Sequence, residues 1–278
     1  MEEITKRIRD EARKLLADRR VSAVVGYRSG WNPSAAAPGF VTDEAEVDEL
    51  LFDASCTHNL AKYLVGREGL LWAIDREDED RLPVAIVAVP ETQRTVTALI
   101  QEKRFERGDV IVLAISDGSP VGLEPDAEVG RLDPKTSERE ELLAGIAKLD
   151  AMTPAERWEY WQGELSKCIR CYACRQVCPF CYCDRCIADE NRPQWVTKSP
   201  STLNNVSWNI VRAYHLIGRC TECGECERVC PMDIPLRLLN TKMALSVEEA
   251  FEYKAGLDTE GSPPLYDFKE DDNDEFIL

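Results

Sequence analysis

The chain has 278 residues and a formal charge of −17 at neutral pH, from 51 acidic against 34 basic side chains. Such a surface repels the nucleic-acid backbone, and the sequence has no apolar run of about 18 residues or more to span a membrane. The start, Met1-Glu2-Glu3-Ile4-Thr5-Lys6-Arg7, is charged and lacks the apolar core of a signal peptide, so a soluble cytoplasmic protein with room for two compact domains is expected.

The first part of the chain reads as an α/β unit. Ile4, Ile8, Ala12 and Leu15 recur at helical spacing, and the helix they predict gives way to a β-rich run from Val21 to Val25. Another helix is predicted from His58 to Leu64, just after Cys56. Val84 to Val89 reads as a buried strand, Thr92 to Phe105 as a helix with Val96, Leu99 and Ile100 inward, and Val110 to Ile115 as a second buried strand. Strand, helix, strand at this spacing implies a parallel crossover unit. Ser116 to Thr136 holds Gly118, Pro120, Gly122, Pro125, Gly130 and Pro134 among acidic residues and reads as a linker containing the domain boundary.

Beyond it the pattern turns helical. Thr153-Pro154-Ala155-Glu156 is a capping box with proline at the first helical position, and Trp158, Trp161 and Leu165 follow on one face leading to Cys168. Leu203, Val206, Ile210, Tyr214 and Ile217 mark a second helix, which Gly218 is placed to end. Ser246-Val247-Glu248-Glu249 repeats the capping pattern and predicts a third helix starting there. The expected fold class is an α/β N-terminal domain over residues 1–130, a mainly α-helical domain over 131–260, and an acidic tail over 261–278 with too little apolar content to pack alone.

Eleven of the 12 cysteines fall between Cys168 and Cys230. Cys168-x2-Cys171-x2-Cys174-x3-Cys178-Pro179 recurs as Cys220-x2-Cys223-x2-Cys226-x3-Cys230-Pro231, the bacterial ferredoxin run in which the fourth cysteine ligates the other cluster. Three close thiolates on a tight loop reach three corners of a 4Fe-4S cubane, and the fourth corner comes from elsewhere. Cys168, Cys171, Cys174 and Cys230 are therefore expected to hold one cluster, and Cys220, Cys223, Cys226 and Cys178 the second. Structural zinc favours sites of four ligands built from Cys-x2-Cys pairs, a poorer match to two triplets each followed by Cys-Pro. Each oxidised core adds about +2 against four thiolates, so two clusters would make the chain more acidic still.

The segments CIRCYACRQVCP and CTECGECERVCPMDIP, separated by a mostly helical spacer, resemble the α-helical ferredoxin domains of heterodisulfide reductase, of succinate dehydrogenase iron–sulfur subunits and of related anaerobic subunits. Upstream, AEVDELLFDASCTHNLAKYL and VAIVAVPETQRTVTALIQEKRFERGDVIVLAIS resemble the beta-subunit family of deazaflavin-reducing hydrogenases and formate dehydrogenases, whose members bind FAD and iron–sulfur clusters. The chain departs from that pattern in reading Val89-Pro90-Glu91-Thr92 for a Lys-Gly-Cys-Asp type of turn, and Ser116-Asp117-Gly118 for a cysteine turn. No G-x-G-x-x-G follows a predicted strand, which leaves no nicotinamide site. The resemblances imply an electron-transfer subunit, with heterodisulfide-reductase-like, hydrogenase or formate dehydrogenase subunits as partners. FAD exchanging hydride in the N-terminal domain, or a cofactor-free docking scaffold there, are the alternatives.

Cys181, Cys183 and Cys186 are unaccounted for by the repeat. Buried inert thiols are one reading; a third iron–sulfur cluster or a zinc ion, with Cys56 as the remaining available cysteine for the fourth ligand, is the other. His58 and His215, the two histidines, read as structural. Arg170, Arg175, Arg219 and Arg228 flank the cysteine loops, where they either raise a cluster's potential or are solvated or salt-bridged.

Overall fold

A computed structural model of the chain describes residues 1–32, 34–67, 69–71, 81–190, 193 and 196–264. The acidic run Asp271 to Glu275 of the expected tail lies outside the described residues. Helix α1 (Glu2–Ala17) buries Ile4, Ile8, Ala12 and Leu15, the four residues its periodicity marks. Strand β1 (Ala23–Ser29) follows, slightly later than the β-rich run predicts, and pairs antiparallel with β2 (Ala36–Val41). The segment after Cys56 forms a 3-10 turn over Leu60–Leu64 instead of a full helix. There the Asn59 side chain accepts from the Ala61 amide and donates to Thr95 Oγ1 at 2.8 Å, so tertiary bonding sets the local geometry.

Strand β3 (Val84–Ala88), helix α2 (Pro90–Gln101) and strand β4 (Val110–Ser116) form the anticipated parallel crossover. Helix α2 stops before Phe105 because Lys103 turns left-handed and the Arg104 amide bonds back to the Leu99 carbonyl at 3.0 Å, a Schellman ending. The supposed linker contains strand β5 (Ala127–Arg131), which pairs parallel with β4 and completes the sheet order β2-β1-β3-β4-β5. Gly130, read as a linker residue, is instead a packing glycine: a Cβ there would stand 2.7 Å from Ile4 Cγ1 of α1. A short edge strand between turn residues leaves little periodic signal, which is why composition misassigns it.

Helix α3 (Thr136–Asp150) has no counterpart in the sequence reading. Helix α4 (Pro154–Ser166) opens on the anticipated box, with Thr153 Oγ1 accepting from the Glu156 amide and the Glu156 carboxylate accepting from the Thr153 amide at 2.8 Å. Two single turns, α5 (Ala173–Gln176) and α6 (Ile187–Glu190), precede α7 (Thr202–Tyr214). Leu203 and Tyr214 of the predicted apolar face are exposed, and the buried face carries Asn205, Val206, Trp208, Asn209 and Arg212. After the turn α8 (Glu225–Arg228), helix α9 (Leu236–Phe251) begins ten residues before the predicted start at Ser246. Ser246 lies inside the helix and its hydroxyl bonds back to the Lys242 carbonyl, as mid-helix serines do.

The core under the sheet extends to Cys178, Phe180 and Leu216, so the cysteine region packs directly on the α/β layer. A second, smaller core joins Leu165, Val206, Trp208, Ile234 and Leu236 to Cys174 and Cys226. Among the described residues no helix is long and apolar enough to cross a membrane.

Candidate metal centre

The two cysteine runs repeat in conformation as well as in sequence. Arg170 and Tyr172 in the first run adopt φ values of 58° and 61°, and the equivalent Glu222 and Gly224 in the second adopt 62° and 79°. Left-handed residues at these positions turn successive amides toward one side of the loop, the arrangement that cradles negative charge. One consequence is visible in both loops: the Arg170 amide donates to Cys168 Sγ and the Glu222 amide to Cys220 Sγ, each at 3.4 Å. Helical turns α5 and α8 then follow at the same offset and carry Cys174 and Cys226, both buried. Each run closes alike, with the Cys181 amide bonded to the Cys178 carbonyl and the Asp233 amide to the Cys230 carbonyl.

Cys178, from the first run, lines one cavity with Cys220, Cys223 and Cys226 of the second. Arg212, Arg237, Asn240 and Thr241 line the same cavity, and each carries a buried polar side-chain atom with no partner. Asn240 also donates through Nδ2 to Cys226 Sγ at 3.4 Å. Burial pushes the Cys220 thiol up to about 12 and raises Cys223 and Cys226 as well. Thiolates packed this tightly need a cationic centre, and a cubane supplies one while taking each sulfur on a different iron. Four thiols, amide donors and unsatisfied polar atoms around one cavity fit such a group. Among the described residues no three His, Cys, Asp or Glu side chains converge as ligands of a single metal ion.

In the first loop Cys174 is buried, Cys168 partly buried and Cys171 exposed. Burial raises Cys174 to about 12, with Arg212 opposing. Cys168 and Cys230 both pack against the smaller core that contains Cys174.

The remaining cysteines lie on the segment that follows the first run and, for Cys56, on the segment before Leu60–Leu64. Cys181 bonds to Cys178, which draws Cys178 down despite burial; Cys186 packs against the smaller core and acts on Cys181. Cys183 is exposed and, with Cys181, lines a cleft of 400 Å³ shared with His58, Lys62 and Tyr63. Cys56 lies in a different cavity, beside Cys223 and at the ends of β3, β4 and β5. Its thiol donates to Asp53 Oδ1, and burial pushes it up to about 12. Cys56 thus shares a cavity with Cys223 of the second loop.

His58 sits 3.2 Å from Arg228 and 3.7 Å from the buried Glu225, whereas His215 is exposed after α7. Of the flanking arginines, Arg219 pairs with buried Glu102 at 2.8 Å and Arg228 with Glu225 at 2.7 Å, while Arg170 donates to the Asn204 carbonyl at 3.0 Å. Arg175 lines the cleft beside Cys183. The sequence reading passed over Arg212, Glu102 and Asn240, whose positions inside helices or at a helix end give no local sign of what faces them. The one available signal was a charged or amide side chain on an otherwise apolar face.

Residues 164–234 match the 4Fe-4S dicluster domain, so the cysteine region is an iron–sulfur domain. Over 115 residues the chain is 35% identical to an F420-dependent formate dehydrogenase subunit beta of Methanocaldococcus jannaschii, covering 41% of this chain and 28% of that protein. Over 107 residues it is 35% identical to the F420-dependent formate dehydrogenase 1 subunit beta of Methanococcus maripaludis, covering 38% and 27% respectively. The matched stretch therefore spans under a third of the length of these relatives.

Proposed function

We propose that the chain is an electron-transfer subunit of a larger oxidoreductase, holding two 4Fe-4S clusters that pass electrons singly between partner subunits. The observation that carries this reading is the cavity that gathers Cys178 with Cys220, Cys223 and Cys226 across the repeat. Cys168, Cys171, Cys174 and Cys230 would hold the other cluster. The clusters supply one-electron chemistry when bound, and the protein's own part is to hold the thiolates, aim amides at them and keep water from the buried sulfurs. The likeness to formate dehydrogenase beta subunits favours a formate dehydrogenase-type complex as the partner, ahead of a hydrogenase or heterodisulfide reductase.

Crossed ligation gives the test. In anaerobically reconstituted protein, iron should be about eight per chain for two clusters. Cys178→Ser should damage the cluster on Cys220, Cys223 and Cys226, and Cys230→Ser the one on Cys168, Cys171 and Cys174, as seen by EPR of the reduced protein. Loss of the same-run cluster in either variant would overturn the assignment.

For the α/β part we prefer a docking scaffold to FAD. The cavity at the ends of β3, β4 and β5, where such sheets bind nucleotides, is lined by Asp53, Glu91, Asp117 and Asp133 against Lys135. Those carboxylates oppose a pyrophosphate. Flavin absorbance in the purified, reconstituted protein would reverse this preference. A third centre on Cys181, Cys183, Cys186 and Cys56 would raise iron to about twelve, or add about one zinc to eight irons.

A further inference from the structure

Arg212 is the charged side chain that the buried face of α7 contributes to the interior, with 6% of its surface exposed. One guanidinium nitrogen donates to the Cys174 carbonyl of the first loop at 3.0 Å, while its buried Nε has no partner. The same side chain lines the cavity formed by Cys178, Cys220, Cys223 and Cys226. Arg219 and Arg228 are neutralised by Glu102 and Glu225; what surrounds Arg212 is cysteine from both runs, the Cys174 backbone it bonds and the Cys178, Cys220, Cys223 and Cys226 side chains of the cavity it lines. A guanidinium taken out of water needs counter-charge, and here thiolates are what the fold offers.

We propose that Arg212 is a positioning residue serving both clusters at once: a fixed positive charge, bonded to the first loop and facing the second, that raises both reduction potentials together. The proposal rests on the two-cluster reading. Reduction adds one electron to a cluster with four thiolates, taking its net charge from −2 to −3 with no proton transferred and no bond broken. A nearby fixed cation favours the more negative form, and burial leaves that attraction little screened. Because one side chain touches both halves of the repeat, the two potentials should move in step, which keeps them matched.

The test is an anaerobic dithionite titration of the full chain, followed by EPR, on wild type, Arg212→Gln and Arg212→Lys, with iron and sulfide measured alongside. With iron retained, Arg212→Gln should lower both potentials, cutting the reduced-to-oxidised ratio about tenfold at the wild-type midpoint, a shift of about 59 mV for a one-electron centre. Arg212→Lys should restore most of that shift. Unchanged potentials in an iron-replete Arg212→Gln protein, or movement of one cluster alone, would overturn the proposal. If Arg212→Gln loses iron, the lysine variant decides: clusters retained near wild-type potentials support the charge role, and loss of iron there too makes Arg212 a packing residue. A reconstituted wild type without cluster signals would refute the two-cluster reading itself.

Discussion

The two cysteine loops share a backbone but not a support. The first is held by α7: Asn205 Nδ2 donates to the Cys168 carbonyl at 2.7 Å, Arg170 donates to the Asn204 carbonyl, and Tyr172 stacks edge-on against Trp208. The second is held by the α/β layer. Thr221 bonds to Thr95 of α2 at 2.8 Å, Glu222 faces Arg94 of α2 and Arg139 of α3, and Arg219 just before the loop pairs with Glu102 at the end of α2. The same cysteine spacing can thus be made rigid by a neighbouring helix of the cysteine region or by the sheet layer. The difference ties the second loop's integrity to the sheet layer and leaves the first with Cys171 exposed.

The largest expected effect comes from removing iron. Metal binding supplies folding energy to loops with little apolar content, and the core around the first loop is small beside that of the sheet. After anaerobic chelation, new protease cuts should appear between Ser166 and Ile234 while the β3 to β4 crossover stays resistant. Simultaneous loss of both regions would mean the two supports are one cooperative unit.

Breaking the Arg219 pair sharpens the contrast. Glu102 is 1% exposed and Arg219 21%, so Glu102→Gln should cost about 3 kcal/mol, the low end for a buried pair losing one partner. The loss should show in chemical denaturation, and the EPR signal of the second-loop cluster should fade before that of the first.

Thr95→Val probes the same support more gently. It strips the partner from Asn59 Nδ2 and Thr221 Oγ1 inside a buried interface, a loss of about 2 kcal/mol in chemical denaturation. Equal damage to both clusters in this variant would count against separate supports.

The smallest effect belongs to the α4 cap. Thr153→Ala should cost about 1 kcal/mol of thermal stability and leave both cluster signals as they are. The Thr153 hydroxyl and amide hold the Glu156 carboxylate below its ordinary pKa, so this cap contributes above that value and is lost as pH falls through the lowered one. The difference between wild type and Thr153→Ala should therefore shrink in acid.

Much of the scaffold was legible along the chain because its causes are local. Ile4, Ile8, Ala12 and Leu15 repeat at the helical period, Val84 to Ala88 and Val110 to Ser116 are long enough apolar runs to be strands, and Thr153 with Glu156 satisfies its own helix end. Where causes are distant, reading failed: β5 exists because β4 offers an edge and α1 packs on Gly130, and α9 passes through Ser246 because the helix was already running.

The same division runs through the site. The repeat of Cys-x2-Cys-x2-Cys-x3-Cys-Pro, a covalent spacing, is enough to name the iron–sulfur domain and to nominate its eight cysteines. Which side chains surround those sulfurs and brace their loops is decided only when α7 and α9 are laid across the loops, carrying Arg212 and Asn240 inward, and when α2 brings Thr95 and Glu102 against the second loop. Ligand spacing is written into the chain by bond lengths, whereas electrostatic surroundings depend on contacts between residues far apart in sequence, and those exist only once the chain has packed.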